Sequence, residues 1–184
     1  MGRRLVYFVA GLAVAAVALA QEFNNPSNLA PYVPSPQIVV EKMLEAAQVK
    51  PGELVYDLGC GDGRILITAA QKYKARAVGV ELSEKLFNDT TAKVKALGLE
   101  DRVTLVHGNL LEVDLSQADV VIIYLLTTSN DQVKPRLEKY LKPGARVISH
   151  DFVVRGWKPS RIETLKADRR AHTVYVYEVP PARP

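Results

Sequence analysis

The run Val55-Tyr56-Asp57-Leu58-Gly59-Cys60-Gly61-Asp62-Gly63-Arg64 constrains this chain more than any other stretch, because it joins an apolar strand to a helix through closely spaced glycines. Leu54 to Leu58 reads as a strand buried in a core. Gly59, Gly61 and Gly63 allow a sharp turn and leave room for a ligand where a Cβ would collide. A helix starting near Gly63 then turns its free N–H groups toward whatever lies above the strand end. The junction is a nucleotide-binding turn in an α/β protein.

The glycine spacing separates two kinds of ligand. A dinucleotide fingerprint is G-x-G-x-x-G, set by pyrophosphate contact and helix–strand packing. Here the pattern is G-x-G-x-G, and Arg64 stands where the last dinucleotide glycine belongs. Asp57 adds a carboxylate at the strand end, a poor neighbour for pyrophosphate and a good one for an ammonium. The run from Asp57 to Gly63 resembles motif I of the class I S-adenosylmethionine-dependent methyltransferases, whose cofactor carries an amino-acid end and no phosphate. That resemblance implies that Asp57, Gly59, Cys60, Gly61 and Asp62 surround the cofactor.

Further acids and amides fit the same template. Ala77 to Glu81 reads as a short buried strand ending in a carboxylate, placed after a helix from Ile65 to about Tyr73. Glu81 lies where an α/β nucleotide site puts its ribose-binding acid, and charge assistance makes such hydrogen bonds about twice as strong as neutral ones. Val103-Thr104-Leu105-Val106-His107-Gly108-Asn109-Leu110 is a third strand followed by the position that, by resemblance, contacts the adenine ring. Asn109 would accept from the adenine amino group, with Leu110 beside it.

At 184 residues the chain suits one domain with a single sizeable core. Its formal charge of +4 includes Arg3 and Arg4 of the leader, and no basic stripe argues for nucleic acid. Cys60 is the lone cysteine, so no intrachain disulfide forms. His107, His150 and His172 have no metal-ligand spacing, and no metal is expected.

The N-terminus is the second informative feature. Met1-Gly2-Arg3-Arg4 is a positive n-region, Leu5 to Ala20 is uncharged and apolar, and Ala18-Leu19-Ala20 places small residues where a signal peptidase reads. As a helix the apolar run would span about 24 Å, short of a hydrocarbon core of roughly 30 Å. Residues 1–20 are therefore a signal peptide or a membrane anchor, and the protein is exported to the cell envelope or held at a membrane. A start codon placed too far upstream would make it cytoplasmic instead. Residues 21–34 form a linker or wrapping arm, residues 35–180 the main domain and residues 181–184 a tail. In the arm Tyr32 is either a lid over the cofactor or a surface aromatic that packs the arm down.

The remaining chain alternates. Ser35-Pro36 suits the N-cap and first turn of a helix to about Ala47. Ser83 can cap a helix running to about Leu97, with Gly98 as its stop. Ala118 to Tyr124 is a fourth strand, followed by a helix from roughly Gln132 to Leu141. Ala145 to Phe152 is a fifth strand, and Ile162–Leu165 and Thr173–Val179 close the chain. The order predicts an α/β fold, a doubly wound, mostly parallel seven-stranded sheet with an antiparallel C-terminal edge hairpin, and the resemblance at motif I implies that it is a Rossmann-like methyltransferase sheet.

Together with motif I, Pro31-Tyr32-Val33-Pro34, Tyr124-Leu125-Leu126 with Asn130, and Ser149-His150-Asp151-Phe152 leading to Gly156-Trp157 are similar to the small lysine methyltransferases that modify mitochondrial membrane carriers and the ATP synthase c-ring protein. Thr127 departs from that pattern, which has a proline after the leucines. The resemblance implies methyl transfer to a lysine of a protein substrate, of a kind that can be membrane-associated, with no nucleic acid partner. Tyr124, Asn130 and Asp151 would orient the amine, and Trp157 would wall a lysine channel. Each also has a plainer role: strand-end packing for Tyr124, a helix cap for Asn130, an ion-paired loop acid for Asp151 and edge packing for Trp157. His150 and Asp151, as adjacent strand residues, are expected to face opposite sides. A small-molecule methyltransferase and an exported, non-catalytic binding protein that kept the fold are the alternatives.

Overall fold

The computed structural model describes residues 28–181. The leader, residues 1–20, the first half of the arm and most of the tail lie outside the described residues. Among the described residues no helix is long and apolar enough to cross a membrane.

Seven strands form one sheet: β1 (Leu54–Leu58), β2 (Arg76–Glu81), β3 (Val103–His107), β4 (Val120–Ile123), β5 (Arg146–His150), β6 (Arg161–Ala167) and β7 (Arg170–Glu178), in the order β3-β2-β1-β4-β5-β7-β6. β1 to β5 pair in parallel, and β7 runs antiparallel to both β5 and β6. Helices α1 (Gln37–Ala46), α2 (Arg64–Tyr73), α3 (Glu84–Ala96) and α4 (Thr127–Tyr140) connect or cover these strands.

Strand alternation divides the core in two. Along β4 every side chain is buried, Val120 and Ile122 against α1 and α2 on one face, Val121 and Ile123 against α4 on the other. Val39, Met43, Leu44 and Leu66 fill the first layer; Tyr56, Leu58, Val133, Leu137 and Tyr177 fill the second. Each such side chain contributes about 1.5–3 kcal/mol by leaving water. Strand order reverses between β1 and β4, which opens a crevice at the carboxyl ends of those two strands.

Several boundaries differ from expectation. Helix α4 begins at Thr127, not Gln132, because Leu126 is extended and its carbonyl accepts from the Ser129 and Asn130 amides; the polar run Thr127-Thr128-Ser129-Asn130 is a helical first turn, not a loop. At α1 the N-cap is Pro36 without a side-chain cap, since the Ser35 hydroxyl is turned to His150. Strand β5 ends at His150 because Asp151 takes a left-handed φ of 60°. β6 and β7 run further toward each other than expected and meet in a turn at Asp168 and Arg169, both at positive φ.

Candidate functional site

A cavity of about 360 Å³ occupies the crevice between β1 and β4. It is lined by the arm from Asn28 to Ser35, by Asp57, Gly59, Cys60, Gly61, Asp62 and Arg64 of the glycine loop, by Val80 to Glu84, by Gly108 and Leu110, and by Tyr124 and Leu125. That size suits one small-molecule ligand.

The glycine loop is pinned from three sides. The Val80 carbonyl accepts from the Gly59 and Cys60 amides at 2.9 and 3.0 Å. Glu81 Oε2 accepts from the Gly61 amide at 2.8 Å, and the Thr90 hydroxyl donates to the Gly61 carbonyl at 2.7 Å. A Cβ on Gly61 would stand 2.5 Å from the Tyr32 ring, so the absence of a side chain lets the arm lie directly on the loop. At Gly63, with φ 72°, a Cβ would meet the Thr90 methyl at 2.5 Å; α3 packs against the loop only because that position is bare.

Arg64 does what no dinucleotide fingerprint asks. Its Nε and Nη2 grip both Asp62 oxygens at 2.8 and 2.6 Å, and its Nη1 donates to the Ser35 carbonyl at 2.6 Å. The guanidinium holds Asp62 below the ordinary carboxylate range and joins loop to arm. In the sequence Arg64 shows only as a missing glycine and Ser35 only as a helix cap; no local signal marks the clamp they form.

The charge of the site is lopsided. Asp57 is 4% exposed, and its pKa is pushed up to about 8, first by burial, then by the neighbouring Glu81 and Asp62 carboxylates. Glu81 is also buried, with Oε2 bound to Gly61 and Oε1 accepting from the Ser83 amide at 2.9 Å. Such a pocket repels phosphate and gains from a cation, which relieves Asp57. The donor set fits S-adenosylmethionine: an ammonium at Asp57, ribose hydroxyls at the spare lone pairs of Glu81, and an adenine against Leu82, Gly108 and Leu110. Burial pushes the Cys60 thiol up, so it stays a neutral wall.

Tyr32, Asp57, Gly59, Cys60, Gly61, Asp62, Glu81, Leu110 and Tyr124 of the expected residues line the cavity. Asn109 does not. Its Oδ1 accepts from the Leu111 amide at 2.9 Å and its Nδ2 donates to Glu112, an Asx turn that folds the side chain back on its own backbone.

The acceptor-side residues need more revision. Asn130 is fully buried in the first turn of α4 and away from the cavity wall; its Nδ2 donates to the carbonyls of Phe152 and Val153, both at 3.2 Å, while Oδ1 is buried without a partner. It ties α4 to the loop after β5. Trp157 is 5% exposed, donates to Glu138 at 2.9 Å and meets the Tyr177 ring edge-on, so it is core and no channel wall. Asp151 sits just behind the cavity wall. Its left-handed φ breaks strand alternation, and its Oδ2 lies 3.4 Å from His150 Nε2 and 3.6 Å from His172 Nδ1, so His150 and Asp151 do share one side.

A buried polar chain results. Ser35 Oγ meets His150 Nδ1 at 3.0 Å, and His150 Nε2 meets His172 Nδ1 at 2.8 Å. The Tyr124 ring lies on His150 with centroids 3.9 Å apart. Asp151 Oδ1 accepts from the Thr173 amide at 2.8 Å, and Oδ2 accepts from Arg170 at 2.7 Å. Burial pushes Asp151 up, but the Thr173 amide, Arg170 and His150 outweigh it and hold the acid low. His150, Asp151 and His172 are metal-type ligands within reach of one ion, yet the Arg170 guanidinium already sits on the Asp151 oxygen that would face it. Arg170 and His172 lie on β7 with no motif around them; only the strand register brings them here.

Comparison with known proteins finds methyltransferases. A family model described as the ANTKMT methyltransferase domain matches residues 57–161. A protein-lysine N-methyltransferase of Saccharolobus islandicus is 48% identical over 150 residues, 81% of this chain and 93% of that protein. A human lysine N-methyltransferase named for the c-ring protein of ATP synthase is 31% identical, with 96% of this chain and 75% of that protein covered. Among solved structures, an RNA methyltransferase from Salinibacter ruber in complex with S-adenosyl-L-homocysteine superposes with a TM-score of 0.76 at 41% identity, covering 83% of this chain and 97% of that one.

Proposed function

Since the chain belongs to the ANTKMT methyltransferase family and is an S-adenosylmethionine-dependent transferase, we propose that it methylates lysine side chains of a protein substrate. The observation that carries this reading is the 48% identity to a protein-lysine N-methyltransferase across nearly the whole of that relative. The geometry supports it. Tyr124 and apolar Leu125 line the cavity at the end of β4, a setting for a slender amine.

When bound, S-adenosylmethionine supplies a methyl made electrophilic by its sulfonium sulfur. Asp57 would hold the cofactor's charged end and Glu81 its ribose, with Tyr32 lying over the site. Proximity and orientation alone are worth roughly 7–11 kcal/mol in well-aligned pairs. A lysine also has to shed a proton: from a reference pKa near 10.4, the neutral amine at pH 7 costs about 4.6 kcal/mol. Burial beside the site lowers that cost.

The Salinibacter ruber relative is named for RNA, and one experiment separates the two acceptors. Radiolabelled S-adenosylmethionine is incubated with the protein and RNA fractions of a cell extract, and each is hydrolysed. Label in methyllysine is the expected result; label confined to nucleosides overturns it.

We also infer that the domain works outside the cytoplasm or at a membrane, on the support of the apolar run Leu5 to Ala20 and the Ala18-Leu19-Ala20 site. Fractionation with N-terminal sequencing tests this. A mature chain starting at Gln21 means cleavage, a full chain in membranes means an anchor, and a soluble cytoplasmic chain overturns both.

A further inference from the structure

Arg170 has no assigned role, yet it meets both polar groups of the acceptor wall. From the start of β7, beside the turn at Asp168 and Arg169, its Nη2 donates to the Tyr124 hydroxyl at 2.9 Å and its Nη1 to Asp151 Oδ2 at 2.7 Å. The same Tyr124 hydroxyl points its own hydrogen toward Asp151 Oδ2, at a long 3.5 Å. The ring lies against His150, with the two planes tilted by 32°.

These contacts settle which way the hydroxyl can act. A phenol has one hydrogen to donate, and its oxygen accepts. The hydrogen is directed to Asp151, so an incoming amine meets this oxygen as an acceptor, shared with Arg170. An amine that donates an N–H to it keeps its lone pair free for the methyl carbon.

Charge acts in the same direction. Around the hydroxyl stand Asp151 after β5, His150 of β5, and His172 and Arg170 of β7; Asp57 of β1 and Glu81 of β2 lie on the cofactor side of the cavity. Asp151 is matched by Arg170, and burial pushes His150 toward its neutral form. No unmatched carboxylate in this group remains to hold an ammonium on the acceptor side, and a guanidinium stands within hydrogen-bond reach of the phenol.

We propose that Arg170 is a positioning residue of the methyl-acceptor site: with Asp151 it fixes the Tyr124 hydroxyl as a hydrogen-bond acceptor facing the incoming amine, and by pairing with Asp151 it leaves no free carboxylate there to hold that amine as an ammonium. The inference rests on the lysine reading above. The lysine leaves its proton in solvent before entering. Its lone pair forms the carbon–nitrogen bond, the carbon–sulfur bond breaks with its pair kept by sulfur, and the product leaves as a methylammonium, so no further base is required.

The test compares the full chain with Arg170→Gln, Arg170→Lys and Tyr124→Phe. Each is assayed for cofactor affinity, for melting temperature, and for methyl transfer to poly-L-lysine and total cell protein from pH 6.5 to 9.5. Binding of poly-L-lysine is also followed by calorimetry with S-adenosylhomocysteine present. For Arg170→Gln, cofactor affinity is expected within twofold of wild type and kcat/KM at pH 7.5 down tenfold or more. Its deficit should narrow at high pH, and the rise of poly-L-lysine affinity with pH expected of the wild type should flatten. Arg170→Lys recovers part of the rate, and in a Tyr124→Phe background the Arg170→Gln loss largely vanishes. An Arg170→Gln protein as fast as or faster than wild type, with the same pH profile, overturns the proposal while leaving the lysine reading intact. If Arg170→Gln does not fold, Tyr124→Phe decides alone: an unchanged rate and profile overturn it. Wild-type protein that binds cofactor but gives no methyllysine from any acceptor overturns the lysine reading and this proposal with it.

Discussion

Asp57 is a carboxyl whose ionisation its surroundings oppose: burial, Glu81 and Asp62 all push its pKa up, to about 8. Asp57→Asn should therefore abolish cofactor binding while raising the melting temperature of the cofactor-free protein at pH 8. Each kcal/mol relieved is worth roughly 2–4 °C in a domain of this size; calorimetry and thermal melts on the same sample check both. Glu81→Ala should lose binding about 100-fold with its circular dichroism unchanged, if the carboxylate that anchors the Gly61 amide also binds the ribose. Full binding by that folded variant would remove Glu81 from the site. Trp157→Phe should lower stability by about 1–2 kcal/mol through loss of the Glu138 hydrogen bond and packing area, and leave acceptor KM unchanged. A raised KM with unchanged melting would return Trp157 to the acceptor site. That Asp57 and Glu81 line the cavity is legible in sequence because strand ends and glycine spacing fix their places locally; Tyr32, in the arm, has no such marker, and the sequence leaves it open between a lid and a surface aromatic. Asn109, Asn130 and Trp157 mislead because an amide or indole suits a ligand and a core equally, and only the contacts of the fold tell them apart.

At the scale of elements, the arm is the part most easily misjudged. Its Asn, Pro and Ser content reads as a tether, yet residues 28–35 form a wall of the cavity. Arg64 holds the Ser35 carbonyl, His150 meets the Ser35 hydroxyl, and the Ser129 hydroxyl donates to the Leu29 carbonyl. Arg64→Met cuts one of these ties and frees Asp62. Cofactor affinity is expected to fall about tenfold, on the order of 1.4 kcal/mol, with a small change in melting temperature, since the Arg64–Asp62 pair is partly exposed and contributes little to stability. Unchanged affinity by calorimetry would mean that the arm closes without this clamp. The central strands and α2 are legible because apolar runs and glycines mark them. The first turn of α4 and the full length of β7 are not. A polar helical turn has no apolar period to reveal it, and a strand edge at Arg170 and His172 acquires its meaning only when β5 lies alongside.

For the molecule as a whole, the raised Asp57 pKa links stability to pH. A carboxyl whose folded pKa lies above its unfolded value contributes stability that is complete below about pH 4 and is lost as pH rises through about 8. The melting temperature of the cofactor-free protein should fall from pH 6 to pH 9, and the fall should be reduced in Asp57→Asn and when S-adenosylhomocysteine is present. A slope equal in all three would place the effect on other groups. The strand order carries a different consequence. Because it reverses between β1 and β4, the donor residues Asp57 and Glu81 sit on β1 and β2, on one side of the crevice, while Tyr124, Asp151 and Arg170 follow β4, β5 and the start of β7 on the other. In the gene these are separate, consecutive stretches. A lineage can therefore exchange the later stretch, and with it the molecule to be marked, while inheriting the earlier one and the reagent unchanged.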